Sequence, residues 1–104
     1  MKEKEFFRWF SLYDRCRQRV TIDKGEIQYF VVQYESYIEN KWVPIVRYDT
    51  AHRFFHKDII NPDGTKTRKT FYLELNEALT FAEVDIKNNW QQYKSQYLEK
   101  MKND

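Results

Sequence analysis

Glycine and proline are scarce, two of each among 104 residues. So few joints leave little room for linkers, and the length suits a single domain spanning residues 1–104. No glycine-rich phosphate loop is present, so nucleotide-dependent mechanisms lack their cradle. A single cysteine, Cys16, excludes an intrachain disulfide. No run approaches the roughly 20 apolar residues that span a bilayer. The opening Met-Lys-Glu-Lys-Glu lacks the apolar core of a signal peptide. The expected location is the cytoplasm, with no membrane partner. Charge of one sign is also missing: 18 basic and 16 acidic side chains leave +2. A dedicated nucleic-acid binder often shows a strong basic excess or stripe, whereas the signs here are mixed.

What the chain has in abundance is aromatic rings, 18% of residues. Each buries about 150–250 Å², so the core is expected to be built from rings. The mean hydropathy of −0.89 does not signal disorder, because the polar residues are patterned rather than run together.

Phe6, Trp9, Phe10 and Tyr13 recur at helical spacing, with Arg8, Arg15, Arg17 and Arg19 among them. This predicts a short amphipathic helix over residues 5–20, with an extended arm as the other reading. Asp23-Lys24-Gly25 is a turn. Residues 26–37 are aromatic and β-branched without breakers, a strand. Glu39-Asn40-Lys41 turns the chain into a second strand, Trp42 to Tyr48. Pro44 there must face away from a partner or sit at a bulge. Phe54 to Ile60 is a third strand, and Asn61-Pro62-Asp63-Gly64 is a turn with its chemistry in view. Thr65 to Leu73 returns as a fourth. Asn76 is the expected N-cap of a last helix of about 25 residues. Its apolar face is Leu79, Ala82, Ile86, Trp90, Tyr93, Tyr97 and Met101. The expected fold is α+β: a short N-terminal helix, a four-stranded antiparallel meander, and a long C-terminal helix on one sheet face.

Arg47, Tyr48, Asp49, His52, His56 and Asp58 fall close together and include both histidines of the chain. A hairpin between the second and third strands sets Asp49 opposite His56 and Arg47 opposite Asp58, with His52 in the loop above. Four readings fit. Metal-independent RNA cleavage needs an acid, a base and a cation for phosphate, which histidine and arginine supply. In it Asp49 or Asp58 would orient the ring, and Tyr48 could join. A metal site would use His52, His56, Asp49 and Asp58; no resident metal or cofactor is assigned. A nucleic-acid surface would use Arg53, Lys57, Lys66, Arg68 and Lys69 beside stacking rings. In the fourth reading the charges only hold the hairpin in register. Elsewhere, Cys16 between Arg15 and Arg17 is a thiolate candidate but more commonly a small core residue. Asn88 and Asn89 are more simply exposed beside a core Trp90.

The residues Trp42, Pro44, Arg47-Tyr48-Asp49, His52, His56, Asp58, Gly64, Asn89-Trp90 and Tyr93 resemble the pattern of a family of small uncharacterised prokaryotic proteins. The likeness covers roughly residues 40–97. Arg47-Tyr48-Asp49 followed by histidines also resembles, more loosely, the TumE-type ribonuclease toxins of toxin–antitoxin modules. Those place an Arg-Tyr-Asp strand before a His-x-His strand. Here the second strand reads His56-Lys57-Asp58, so His52 would have to replace the missing histidine. The likeness implies an endoribonuclease acting on RNA, with a protein antitoxin as partner. The alternative is a non-catalytic protein-interaction or nucleic-acid-binding module. An exposed edge strand and the aromatic N-terminal segment permit a homodimer.

Overall fold

The computed structural model describes residues 1–51 and 54–103. Six strands come first: β1 (Lys2–Ser11), β2 (Asp14–Asp23), β3 (Glu26–Ile38), β4 (Lys41–Asp49), β5 (Phe55–Ile60) and β6 (Lys66–Phe71). The helix α1 (Leu75–Lys102) closes the chain. The strands form one antiparallel sheet in sequence order, β1-β2-β3-β4-β5-β6.

The class, α+β with an antiparallel meander and a long C-terminal helix, is as expected. The N-terminal helix is not. Residues 2–23 are a β-hairpin, and the sheet has six strands rather than four. The reason lies in β2, where Arg15, Arg17 and Arg19 alternate with buried Cys16, Gln18 and Val20. That period of two belongs to a strand with one face in the core. A helix at 5–20 would also have left β3 as an unpaired edge, whereas β2 pairs with it from Asp14↔Ser36 to Asp23↔Glu26. The β1–β2 turn, Leu12-Tyr13, contains neither Gly nor Pro. It is held by Ser11, whose Oγ donates to Asp14 Oδ2 (2.7 Å) and accepts from the Tyr13 N–H (3.0 Å).

The other turns follow their sequence signals. Lys24-Gly25 and Glu39-Asn40 have positive φ at both positions (52° and 79°, 51° and 65°), the backbone that suits a two-residue hairpin. Pro44 sits at a register shift, where Tyr34 pairs with Val46 but Glu35 with Pro44, and beyond the β5 ladder, whose last partner on β4 is Val46. The N-cap falls two residues before the expected one: it is Glu74, without a side-chain hydrogen bond, and Asn76 lies inside the helix.

Helix α1 covers one face of the sheet. Ala78, Ala82 and Ile86 are fully buried against Phe30, Val32, Tyr34, Val46 and Tyr48. The two alanines present no bulk, which lets the helix approach the strands closely. Phe55, Tyr48, Phe71 and Phe81 stack and tilt against one another at 5.2–6.3 Å at one end. Phe10, Tyr34 and Trp90 do so at the other, at 5.4–6.4 Å.

Two carboxylates, Asp14 buried and Asp85 half-buried, also hold the helix to the sheet. Asp14 accepts from Tyr34 Oη (2.6 Å), Ser36 Oγ (2.8 Å) and the helix residue Lys94 (3.1 Å). Asp85, on the helix, accepts from Tyr48 Oη (2.7 Å), Tyr93 Oη (2.5 Å) and Asn89 (2.8 Å), with Lys57 at 3.5 Å. Burial pushes both carboxyls up, but these donors outweigh it and both end below the usual carboxylate value.

Candidate functional site

The face away from α1 is polar, and the register arranges it in rows. One row runs Phe7, Arg17, Gln33, Arg47, Asp58, Arg68 across all six strands. The next runs Glu5, Arg19, Val31, Asp49, His56, Thr70. A third contains Trp9, Arg15, Glu35 and Pro44. Strand parity alone separates these residues from the apolar set under the helix.

The expected register holds: Asp49 faces His56 and Arg47 faces Asp58. The bonds differ from the register in one respect. His56 Nε2 lies 2.9 Å from Asp49 Oδ1, as the pairing suggests. Arg47, however, turns along its own strand, and its Nε donates to Asp49 Oδ2 (3.0 Å). Asp58 is held instead by Arg68, whose Nε and Nη2 donate at 2.8 and 3.0 Å. That fork lowers the Asp58 carboxyl below its usual value against the opposing push of burial.

These groups are inward and saturated. Asp49 and His56 are each 5% exposed and Asp58 2%. Asp49 Oδ1 also accepts from the Ala51 N–H (3.0 Å). The second nitrogen of His56, Nδ1, lies 3.2 Å from the Phe54 carbonyl oxygen. Both nitrogens face groups of the protein itself, although both partners are acceptors and a neutral ring, with one N–H, donates to only one of them.

Tyr48 does not belong to the cluster. It lies on the helix face, fully buried, bonded to Asp85 and stacked on Phe55 at 5.4 Å. Burial and the Asp85 carboxylate push its phenol far up, so it is not a proton donor or acceptor for anything on the open face. His52 lies outside the described residues, as does Arg53. Among the described residues no group of three or more His, Cys, Asp or Glu side chains could hold a metal ion. Of the expected basic rim, Lys66 and Arg68 share the open face, while Lys57 and Lys69 stand on the helix face. Cys16 is buried, and burial pushes its thiol up to about 12, which removes it as a nucleophile.

Sequence reasoning missed the other half of this face. Five rings form a continuous run: Phe7 to Trp9 (6.4 Å), Trp9 to Trp42 (5.5 Å), Trp42 to Tyr37 (5.3 Å) and Tyr37 to Tyr13 (6.3 Å). Trp9 and Tyr13 are more than half exposed. The Arg15 guanidinium lies over Phe7, Trp9 and Trp42 at 4.5, 5.5 and 3.9 Å, and its Nε donates to Glu35 (2.8 Å). The alternation of Arg15, Arg17 and Arg19 was the signal that could have revealed this surface.

The fold and this face define a class: a sheet-and-helix α+β protein with one apolar, helix-covered face and one open face of arginines, carboxylates and rings. The chain belongs to the family described as "Domain of unknown function (DUF7718)", whose model matches residues 1–103. Membership of an uncharacterised family is as expected, and the match includes the N-terminal hairpin. No curated protein and no solved structure matches the chain. No helix among the described residues is long and apolar enough to cross a membrane.

Proposed function

We propose that the chain is a non-catalytic module that binds single-stranded nucleic acid on the open sheet face, and that the Arg/Asp/His cluster is structural. One observation carries this reading. The open face sets a run of five rings beside a row of arginines, while Asp49 and His56 direct their polar atoms at one another and at the backbone, and Asp58 both its oxygens at the Arg68 fork. Rings on a sheet face stack on bases whatever their sequence, at about 1–3 kcal/mol per base, and arginines meet the backbone. The near-balanced charge of +2 sets an upper bound on nonspecific attraction, so weak, salt-sensitive binding is expected.

The test is fluorescence anisotropy with labelled ten-nucleotide RNA and DNA. Trp9→Ala is expected to weaken binding about 5- to 150-fold, the value of one stacked base. No binding of either oligonucleotide by the wild-type chain, or equal binding by Trp9→Ala, overturns the reading.

A ribonuclease reading follows from the TumE-type likeness and has one observation in its favour. His56 and Arg68 line an open hollow of about 280 Å³ with Ala51, Phe54, Thr70 and Tyr72. RNA cleavage in the presence of EDTA, comparing wild type with His52→Ala and His56→Ala, separates the two. Equal and negligible cleavage in all three removes the enzyme. Cleavage lost in either variant at unchanged folding removes the purely structural cluster.

A further inference from the structure

Two of the open-face rows meet around a depression of about 140 Å³ lined by Arg17, Arg19, Val31, Gln33 and Arg47. Val31, 6% exposed, makes its floor. Three guanidiniums on one side of a sheet repel one another unless anions lie near. Each here has a carboxylate: Arg17 with Glu5 at 3.0 Å, Arg19 with Glu3 at 3.4 Å and Arg47 with Asp49 at 3.0 Å.

All three pairs are made through Nε. A guanidinium has five N–H donors in one plane, so each has donors to spare beyond its Nε. Gln33 Oε1 takes one of them, from Arg47 Nη1 at 3.2 Å, and the Tyr29 side chain bonds the Arg19 guanidinium; the remaining donors are those a further oxyanion would use. None of the three carboxylates lines the depression. The Glu3 and Glu5 pairs are solvent-exposed, and exposed pairs hold weakly enough for a second oxyanion to share or displace them. A water occupies about 30 Å³ of liquid, so the space admits one tetrahedral anion with a few waters. Arginine forks match phosphate geometry better than any other side chain.

We infer that this depression is a phosphate site, held by Arg17, Arg19 and Arg47, with Gln33 orienting Arg47. Resting on the reading given under Proposed function, the site anchors the backbone of a single strand. Phe7 is the next residue in the row beyond Arg17, one strand spacing of about 4.8 Å away, and it begins the run of rings. A nucleotide with its phosphate in the depression has its base within reach of Phe7.

Two probes are used on the full chain. Inorganic phosphate is titrated against chloride at matched ionic strength while the backbone amides are followed by NMR. A ten-nucleotide RNA is titrated at several salt concentrations. Phosphate is expected to shift the amides of Arg17, Arg19, Val31, Gln33 and Arg47 and to leave α1 unmoved. Arg17→Ala with Arg19→Ala is expected to weaken RNA binding at least 10-fold. It should also flatten the slope of log affinity against log salt by about 0.7, the value of the one phosphate that is no longer neutralised. Arg17→Lys keeps the charge but not the fork, so the slope should stay and affinity fall several-fold. Lys87→Ala, exposed on α1, should change neither.

Wild-type affinity and slope in the double variant overturn the phosphate site and leave the nucleic-acid reading intact. Amide shifts with phosphate but no binding of RNA keep the site and sink the nucleic-acid reading. Silence toward both probes overturns both.

Discussion

Replacing Tyr48 by phenylalanine separates the two faces of the sheet in one experiment. The ring stays, so its stacking on Phe55 and its place between β4 and α1 are kept. What goes is one hydroxyl that donates to the half-buried Asp85 carboxylate at 2.7 Å. A hydrogen bond to a charged group contributes about 1.5–3 kcal/mol. Asp85 keeps Tyr93, Asn89 and Lys57, so the low end applies, about 1.5 kcal/mol. For a chain of this size that lowers Tm by about 6–12 °C. The effect should also depend on pH with a definite sign. Asp85 titrates below its ordinary value of 3.8 in the folded chain, so the stability it provides is present above about pH 4. That stability is lost as pH falls through the lowered folded value. Tyr48→Phe removes one of the groups that lower it, so its deficit is greatest near neutrality and shrinks in acid. Urea melts at pH 7 and pH 3 measure both, and the oligonucleotide affinity of the folded variant should match wild type within twofold. An unchanged Tm, or a loss of nucleic-acid binding with stability intact, would refute the placement of Tyr48 under the helix.

His56→Ala should cost about 1–3 kcal/mol, because Asp49 is left buried with one fewer donor, while oligonucleotide affinity stays near wild type. Denaturant melts and anisotropy on one preparation check this, and affinity that collapses at unchanged stability is the contrary result. Asp58→Asn should remove part of the acid-unfolding limb. The wild-type Asp58 contribution is present above about pH 4 and lost as pH falls through its lowered value, whereas the amide never supplies it. Parallel acid titrations followed by circular dichroism report it, and superimposable limbs would count against the Arg68 fork. Cys16 should resist a thiol reagent at pH 8 in the native chain and react rapidly in urea; fast native labelling would contradict its burial.

The parts of the fold legible in the sequence are those fixed by short-range chemistry. β3 to β6 were marked by β-branched and aromatic runs between turns whose residues accept positive φ or fix it. The helix was marked by the series from Leu79 to Tyr97. Register on the β4–β5 hairpin followed from parity, because one shift would have placed Asp49 and Asp58 in the core. The same parity puts Tyr48 on the face opposite Arg47 and Asp49, so its grouping with them was readable as an error. The N-terminal hairpin was hidden for a physical reason. Phe6, Trp9, Phe10 and Tyr13 fit a helix as well as two turns of mixed burial, and Leu12-Tyr13 lacks turn residues. What decides the outcome is the long edge of β3, which a local reading cannot weigh. Asp14 and Asp85 were invisible as fixing points because their partners come from afar, Lys94 for one and Tyr48 with Lys57 for the other. Arg68 as the partner of Asp58 needed the Asn61–Gly64 turn to set β6 in register first.

The order β1-β2-β3-β4-β5-β6 has a kinetic consequence. Every strand pairs only with its neighbours in sequence, so each ladder closes over a short loop and the entropic barrier to zipping the sheet is low. The helix is different: Lys94 must reach Asp14, eighty positions back. Docking of α1 should therefore be the late event, and until then the strands expose the apolar face that the helix covers. Substitutions such as Ala82→Gly, which weaken the helix, should then speed unfolding far more than they slow folding. Equal shifts of both arms of the chevron would place the helix in the nucleus instead.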